Sequence, residues 1–224
     1  MDNTNLSFQE KFLIDNNKEE RRKEGQFFTP ESCADRLLDI IEQQQESKHI
    51  FKETNNPLSI LEPSSGTGIF IKSWINYYQK KKIKRNYFLK CIELNEILYK
   101  HTKDKYENIN KQSNELNNEI SNENNNLINK TNDKGKNNIA IIKDNFLLTP
   151  ILDNESCHLI IGNPPYFELK KENKTPYLES FGDIIQGRPN IYALFLYKCI
   201  LLLKRSGICG LILSPSFFNG SYFS

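Results

Sequence analysis

The sequence predicts a doubly wound α/β fold, a parallel sheet with helices on both faces. Short, near-continuous apolar runs alternate with longer stretches of helical period, the pattern of strands buried on both sides. Clusters of Gly, Pro, Ser and Asn bound those runs. At 224 residues the chain is long enough to bury a full core, as one large domain or two small ones.

The elements follow in order. Residues 58–61 (Leu-Ser-Ile-Leu) read as a buried strand, stopped by Glu62-Pro63-Ser64-Ser65-Gly66-Thr67-Gly68. Residues 69–79 read as a helix packing Ile71, Trp74, Ile75 and Tyr78 on one face. Residues 87–92, 139–142 and 158–161 make the next three strands. A strongly apolar helix over 192–204, closed by Ser206-Gly207, precedes a fifth strand over 208–213. In such sheets ligands sit at the carboxyl ends of the strands.

One segment resists this pattern. From Tyr106 to Asn138, 13 of 33 residues are Asn and most others are polar or charged, which accounts for much of the mean hydropathy of -0.61. Such a stretch cannot offset its ordering entropy by burial, so it is expected to be an inserted loop or frayed helix. A net charge of +2 argues neither for nor against a nucleic-acid partner. The five cysteines (Cys33, Cys91, Cys157, Cys199, Cys209) form no C-x-x-C pair and read as buried thiols in a reducing compartment. Three scattered histidines give no zinc signature, and no metal is expected. With no secretory h-region, and an apolar stretch at 191–203 too short to span a bilayer, the expectation is a cytoplasmic protein without a membrane partner.

The chemistry-bearing residues fall at strand ends. The turn carrying Gly66 and Gly68 places glycines where a backbone approaches a ligand and bare N–H groups face it. It is neither G-x-G-x-x-G nor a P-loop, since no Lys follows Gly68, and taken alone it also suits a plain tight turn. Glu93 ends the second strand 25 residues after Gly68, where a carboxylate can accept both ribose hydroxyls of a nucleoside. Asp144 ends the third strand, placed to accept from an adenine amino group, and Phe146 is placed to pack on the ring. The fourth strand ends in Asn163-Pro164-Pro165-Tyr166. Two prolines fix φ and remove two donors, so the carbonyl of Pro164 and the amide of Asn163 face outward as acceptors for an exocyclic amine. Tyr166 adds a flat face for a base.

With these residues in place, the chain resembles the amino-group DNA methyltransferases, specifically the adenine-N6 enzymes whose cofactor motif precedes the catalytic motif. The resemblance spans about residues 21–218. Residues 22–30 (Arg-Lys-Glu-Gly-Gln-Phe-Phe-Thr-Pro) look like the family's N-terminal motif, in which Thr29-Pro30 borders the methionine part of S-adenosylmethionine. Residues 60–70, with Glu62, Pro63, Ser64, Gly66 and Gly68, match its glycine motif. Glu93-Leu94 matches the ribose-binding strand end, Asp144 the adenine contact and residues 163–166 the catalytic loop. Residues 190–192 and 210–218 are similar to the next two blocks. Ser64-Ser65 ahead of Gly66 departs from the commoner form and is expected to alter loop contacts, leaving cofactor identity unchanged.

The resemblance implies a Rossmann-like methyltransferase domain over 21–224, behind a polar extension at 1–20 and interrupted by the Asn-rich insert. It implies transfer of the sulfonium methyl of S-adenosylmethionine to N6 of an adenine flipped from DNA, as part of a restriction-modification system. Lys170, Lys171, Lys174 and Arg188 are the phosphate candidates beside the catalytic loop. The run Lys80-Lys81-Lys82 with Lys84-Arg85 lies at the opposite edge and reads as a solvated turn. Rival readings are a protein-glutamine or RNA methyltransferase, and a non-catalytic cofactor-binding remnant or assembly subunit. The family closes its sheet with two further strands and adds a target-recognition domain, whereas this sequence stops 11 residues after Leu213. A truncated product, or half of a split enzyme completed by a second chain, is the expectation, with the fifth strand left as an associating edge.

Overall fold

A computed structural model describes residues 8–15, 25, 27–45, 47–106, 137–150, 153–185, 189–215 and 217. Five strands, β1 (Leu58–Glu62), β2 (Tyr87–Glu93), β3 (Asn138–Lys143), β4 (Cys157–Gly162) and β5 (Leu203–Leu211), form one parallel sheet in the order β3-β2-β1-β4-β5. The chain winds outward from β1 through β2 to β3, then returns to lay β4 on the other side of β1. The strand order therefore reverses between β1 and β4, which is where a doubly wound sheet opens a crevice.

Alternation along each strand feeds two cores. Leu58, Ile60, Leu89, Leu159 and Ile161 face α2 (Glu31–Gln43) and α4 (Ile69–Lys80), with Trp74 of α4 fully buried among them. Leu61, Ile92 and Ile160 face the opposite way, against α7 (Ile191–Leu202) and α6 (Leu178–Phe181). On α4, Ile71 and Trp74 are buried as their spacing predicts, but Phe70, Ser73 and Tyr77 complete the buried face while Ile75 and Tyr78 are only partly covered. The short α3 (Ser47–Ile50) follows α2, and residues 96–106 form α5. No described helix is long and apolar enough to cross a membrane.

Several expectations need correction. The helix expected to end at 204 stops at Leu202, and the strand expected at 208–213 runs from Leu203 to Leu211. Backbone N–H groups of Glu155 and Ser156 cap the Leu201 and Leu202 carbonyls, so the helix needs no glycine closure. Ser206 (φ +66°) and Gly207 instead lie in an irregularity where Leu203 pairs with Cys157 and Ile208 with Leu159.

Tyr106, taken as the first residue of the Asn-rich insert, is a core residue, 2% exposed, whose hydroxyl donates to the Gly68 carbonyl at 2.9 Å. Asn138, taken as the last, begins β3. The 107–136 stretch of that insert lies outside the described residues. The amino-terminal stretch, read as a polar extension, contains α1 (Phe8–Asp15), with Phe12 buried against Phe28 and Phe8 stacked on His101. Cys33 is exposed, unlike the buried thiols Cys91, Cys157 and Cys199.

Arg85 is not part of a solvated run. It is 5% exposed, and its guanidinium donates to the carbonyls of Asn56 and Ile50 and meets His158 Nε2. Five donors in a rigid fork suit this tie between the amino-terminal edge of the sheet and α3.

Lys198 interrupts an otherwise apolar α7 for a similar reason. Its ammonium donates to the carbonyls of Phe146, Leu147 and Thr149 at 2.6, 3.2 and 2.8 Å and lies 5.1 Å from the Phe146 ring centre. It pins the turn that follows β3. Lys198→Met keeps the stem but leaves those carbonyls without their cation, and is expected to cost about 2–3 kcal/mol of stability in urea denaturation.

Candidate active site

The crevice between β1 and β4 is built from the turns leaving those two strands. Gly162 at the end of β4 lies so close to Pro63 that a Cβ would sit 3.2 Å from its Cδ. Ser64, the residue that departs from the commoner glycine motif, donates its hydroxyl to the Asn163 carbonyl at 3.0 Å. The cofactor-type turn and the Asn-Pro-Pro-Tyr loop are thus joined directly.

Glu93 holds the first turn. One carboxylate oxygen accepts from Gly66 N–H at 2.7 Å and the other from Asn95 N–H at 2.8 Å. Asn95 in turn accepts from Ile97 and Leu98 N–H, capping α5. The two glycines have different jobs. Gly66 (φ +53°) faces open space, with nothing within 4 Å of a Cβ built there, so a ligand can approach its backbone. Gly68 (φ +76°) is closely packed: a Cβ there would lie 2.7 Å from the Tyr106 ring. Its constraint is the packing of α5.

These turns enclose a cavity of about 550 Å³. Of the expected cofactor residues, Pro63, Ser64, Gly66, Glu93, Leu94, Asp144 and Phe146 line it, and Asn163 and Pro165 of the catalytic loop form another part of the wall. Asp144 accepts from Asn145 N–H at 2.7 Å, and Asn145 accepts from Leu147 N–H, so the strand-end turn is self-braced. Glu62, Gly68, Thr29, Pro30, Pro164 and Tyr166 are not in the wall. The Pro30 carbonyl instead receives the first N–H groups of α2, and Pro164 is buried.

Glu62 is sealed beneath the turn at 0% exposure, and neither carboxylate oxygen has a hydrogen-bond partner. Burial, reinforced by the nearby Glu93 charge, pushes its pKa well up, and the Cys91 thiol opposes this only weakly without reaching hydrogen-bond geometry. A carboxyl whose folded pKa is raised stabilises the fold fully below its unfolded pKa, and that stabilisation is lost as pH rises through the folded value. Glu62→Gln is therefore expected to raise the thermal midpoint by several degrees at pH 8, a gain that shrinks toward pH 5. Scanning calorimetry across that range checks it.

Gly25 and residues 27–30, part of the N-terminal motif, form a strap against the catalytic loop. Tyr166 N–H donates to the Gly25 carbonyl at 3.3 Å, and Phe27 meets the Tyr166 ring edge-on at 5.9 Å. Asn163 Nδ2 donates to Thr29 Oγ1 at 2.9 Å. Tyr166 is engaged through its hydroxyl as well as its ring, with Asn163 Oδ1 and the Ile212 carbonyl each 2.5 Å away. Burial, aided by Tyr192, pushes its pKa up to about 12, so the hydroxyl keeps its proton at neutral pH.

Phe27 and Phe28 bring the N-terminal motif into the wall, whereas Phe167, Tyr177 and Phe195 carried no motif signal, being single aromatics in loops and helices. Among the phosphate candidates, Lys170 and Lys171 are exposed and Lys174 half-buried in the helical turns 171–177, whose Asn173 and Tyr177 reach the cavity. Arg188 lies outside the described residues. Among the described residues no cluster of His, Cys, Asp or Glu is placed to hold a metal ion.

The chain is similar to known proteins. The chain is 28% identical over 212 residues to the modification methylase CviBIII of Paramecium bursaria Chlorella virus NC1A, covering 92% of this chain and 42% of that protein. It is 24% identical over 208 residues to the type II methyltransferase M.AccI of Acinetobacter calcoaceticus, covering 91% and 30%. It thus spans less than half the length of these relatives. Among solved structures, the DrdV–DNA complex superposes with a TM-score of 0.56 at 19% identity, covering 95% of this chain and 23% of that one. A type I restriction-modification methyltransferase subunit from Streptococcus thermophilus superposes at 0.51 and 16%, covering 91% and 36%. These likenesses establish a Rossmann-like methyltransferase fold. The family match itself runs over residues 8–224, from α1 through the sheet to the last residue, and by it the chain belongs to the Eco57I restriction-modification methylases.

Proposed function

We propose that the cavity binds S-adenosylmethionine and that the chain is the catalytic region of a methyltransferase acting on adenine N6 in DNA. The observation that carries this is the single space shared by Gly66, Glu93 and Asp144 with Asn163 and Pro165. Reactant and acceptor sites that open into one cavity are what a direct transfer requires. The cavity's size falls within the ordinary small-ligand range of about 300–1,000 Å³. The open approach at Gly66 and the two wall carboxylates, Glu93 and Asp144, fit a nucleoside with hydroxyl and amino donors.

When bound, this cofactor supplies an electrophilic methyl on a sulfonium, so no covalent protein nucleophile is needed. The chain's residues do the rest. Glu93 and Asp144 orient the nucleoside, and the Ser64 hydroxyl holds the Asn163 carbonyl while Asn163 Oδ1 accepts a hydrogen of the attacking amine. Accepting that hydrogen bond would support the charge developing on nitrogen as the N–C bond forms at the expense of the C–S bond, and the nitrogen's surplus proton then leaves to solvent. Tyr166 borders this point with its ring edge on Phe27 and Tyr192. The names of the relatives, a modification methylase and a type II methyltransferase, favour DNA as the acceptor. Lys170 and Lys171 are exposed in the segment between the wall residues Phe167 and Asn173 and suit phosphate contacts.

The test is label transfer from methyl-tritiated S-adenosylmethionine to duplex DNA, RNA and a glutamine-containing peptide, followed by mass spectrometry of the digest. N6-methyladenine from duplex DNA is the expected product. Label in glutamine amides, or calorimetric binding of NADH with none of S-adenosylmethionine, overturns the proposal.

A further inference from the structure

Transfer to an amine, the reading on which this inference rests, requires Asn163 to present its oxygen and not its NH₂, because the amine's own hydrogens are donors. A primary amide has one of each and turns either way unless something fixes it. Two groups of the strap do so: Thr29 Oγ1 is 2.9 Å from Nδ2, and the Phe27 carbonyl is 3.5 Å from the same atom. A carbonyl only accepts, so the nitrogen belongs on the strap side, and Oδ1 turns toward the Tyr166 hydroxyl.

We infer that Thr29 is a positioning residue for the amine acceptor: its hydroxyl holds the Asn163 NH₂ on the strap side, where the accept-only Phe27 carbonyl selects nitrogen over oxygen. The family resemblance places this residue beside the cofactor, yet Thr29 is absent from the cavity wall and its Oγ1 accepts from Asn163. The other side of the amide is adjustable. Tyr166 has one proton and two acceptors in reach, Asn163 Oδ1 and the Ile212 carbonyl. It donates to Ile212 when an amine occupies Oδ1, which frees a lone pair without moving the ring. Thr29 and the Phe27 carbonyl together hold the amide nitrogen, which leaves Oδ1 to face the substrate, and Tyr166 yields that atom on demand.

The experiment compares Thr29→Val, which removes the hydroxyl at nearly constant shape, with Thr29→Ser, which keeps it. Three quantities are read: the single-turnover methylation rate on duplex DNA, the S-adenosylmethionine Kd, and the side-chain ¹⁵N amide signals of Asn163, identified by their loss in Asn163→Asp. Thr29→Val is expected to slow transfer by roughly 10- to 100-fold and leave the Kd within about twofold, with Thr29→Ser restoring most of the rate. The Asn163 NH₂ signals should shift and exchange faster with solvent in Thr29→Val alone. A cofactor affinity that falls in step with the rate overturns the inference, as does an Asn163 amide signal unchanged by Thr29→Val. If the unmodified protein does not bind S-adenosylmethionine, the methyltransferase reading fails, and the amide signals still decide whether Thr29 orients Asn163.

Discussion

Asn163→Ala is expected to reduce methyl transfer by about two to three orders of magnitude, the usual cost of removing a preorganised group that meets charge developing in the transition state. In the proposed reading the side chain bears on the acceptor amine through Oδ1, while the wall carboxylates assigned to the nucleoside, Glu93 at the end of β2 and Asp144 just after β3, come from elsewhere in the sheet. Calorimetry should therefore find the S-adenosylmethionine Kd within about threefold of the parent. The loop should keep its place, because the Ser64 hydroxyl bonds to the main-chain carbonyl of residue 163 and the two following prolines restrict the backbone. What the mutation does release is Thr29 and the Tyr166 hydroxyl, which retains the Ile212 carbonyl as a partner. A cofactor affinity lost in parallel with the rate would identify Asn163 as a structural residue of the crevice.

Gly25→Ala is expected to lower transfer by roughly 100-fold through the strap, with little change in global stability. Gly25 has φ +63°, and a Cβ there would stand 2.5 Å from the Tyr166 backbone nitrogen and 3.0 Å from its carbonyl carbon. Backbone cannot swing aside as a side-chain tip does, so the strap itself has to lift. Lifting it separates the Gly25 carbonyl from Tyr166 N–H, Phe27 from the Tyr166 ring, and Thr29 from Asn163. It also withdraws Phe27 and Phe28 from the cavity wall, so cofactor affinity should weaken as well, which sets this variant apart from Asn163→Ala. Steady-state kinetics with a parallel thermal melt check both parts. A variant with unchanged kinetics would show that the strap can leave the loop without consequence.

The strands were legible because a strand buried on both faces must be nearly all apolar, and residues 58–61, 87–92 and 158–161 are. The catalytic loop was legible because Asn163-Pro164-Pro165-Tyr166 is a local string whose geometry the prolines dictate. Helix α2 was missed although Ala34, Leu38 and Ile41 lie at helical spacing, because the motif just before it absorbed the reading. The end of α7 was misplaced because its terminal carbonyls are capped by Glu155 and Ser156, residues far away in the chain.

By itself, then, the sequence determined the α/β class, the strand-end positions of Gly66, Glu93, Asp144 and Asn163, and the chemistry those residue types imply. These properties are set by neighbours within a few positions. Only the tertiary structure decided that Gly68 makes room for the Tyr106 ring, that Arg85 and Lys198 are ties to carbonyls, and that Ser64 and Thr29 hold Asn163 from two sides. Each of those roles depends on a hydrogen bond or steric contact between residues 29 to 134 positions apart. Such partners are chosen by how the sheet winds, which local pattern does not encode.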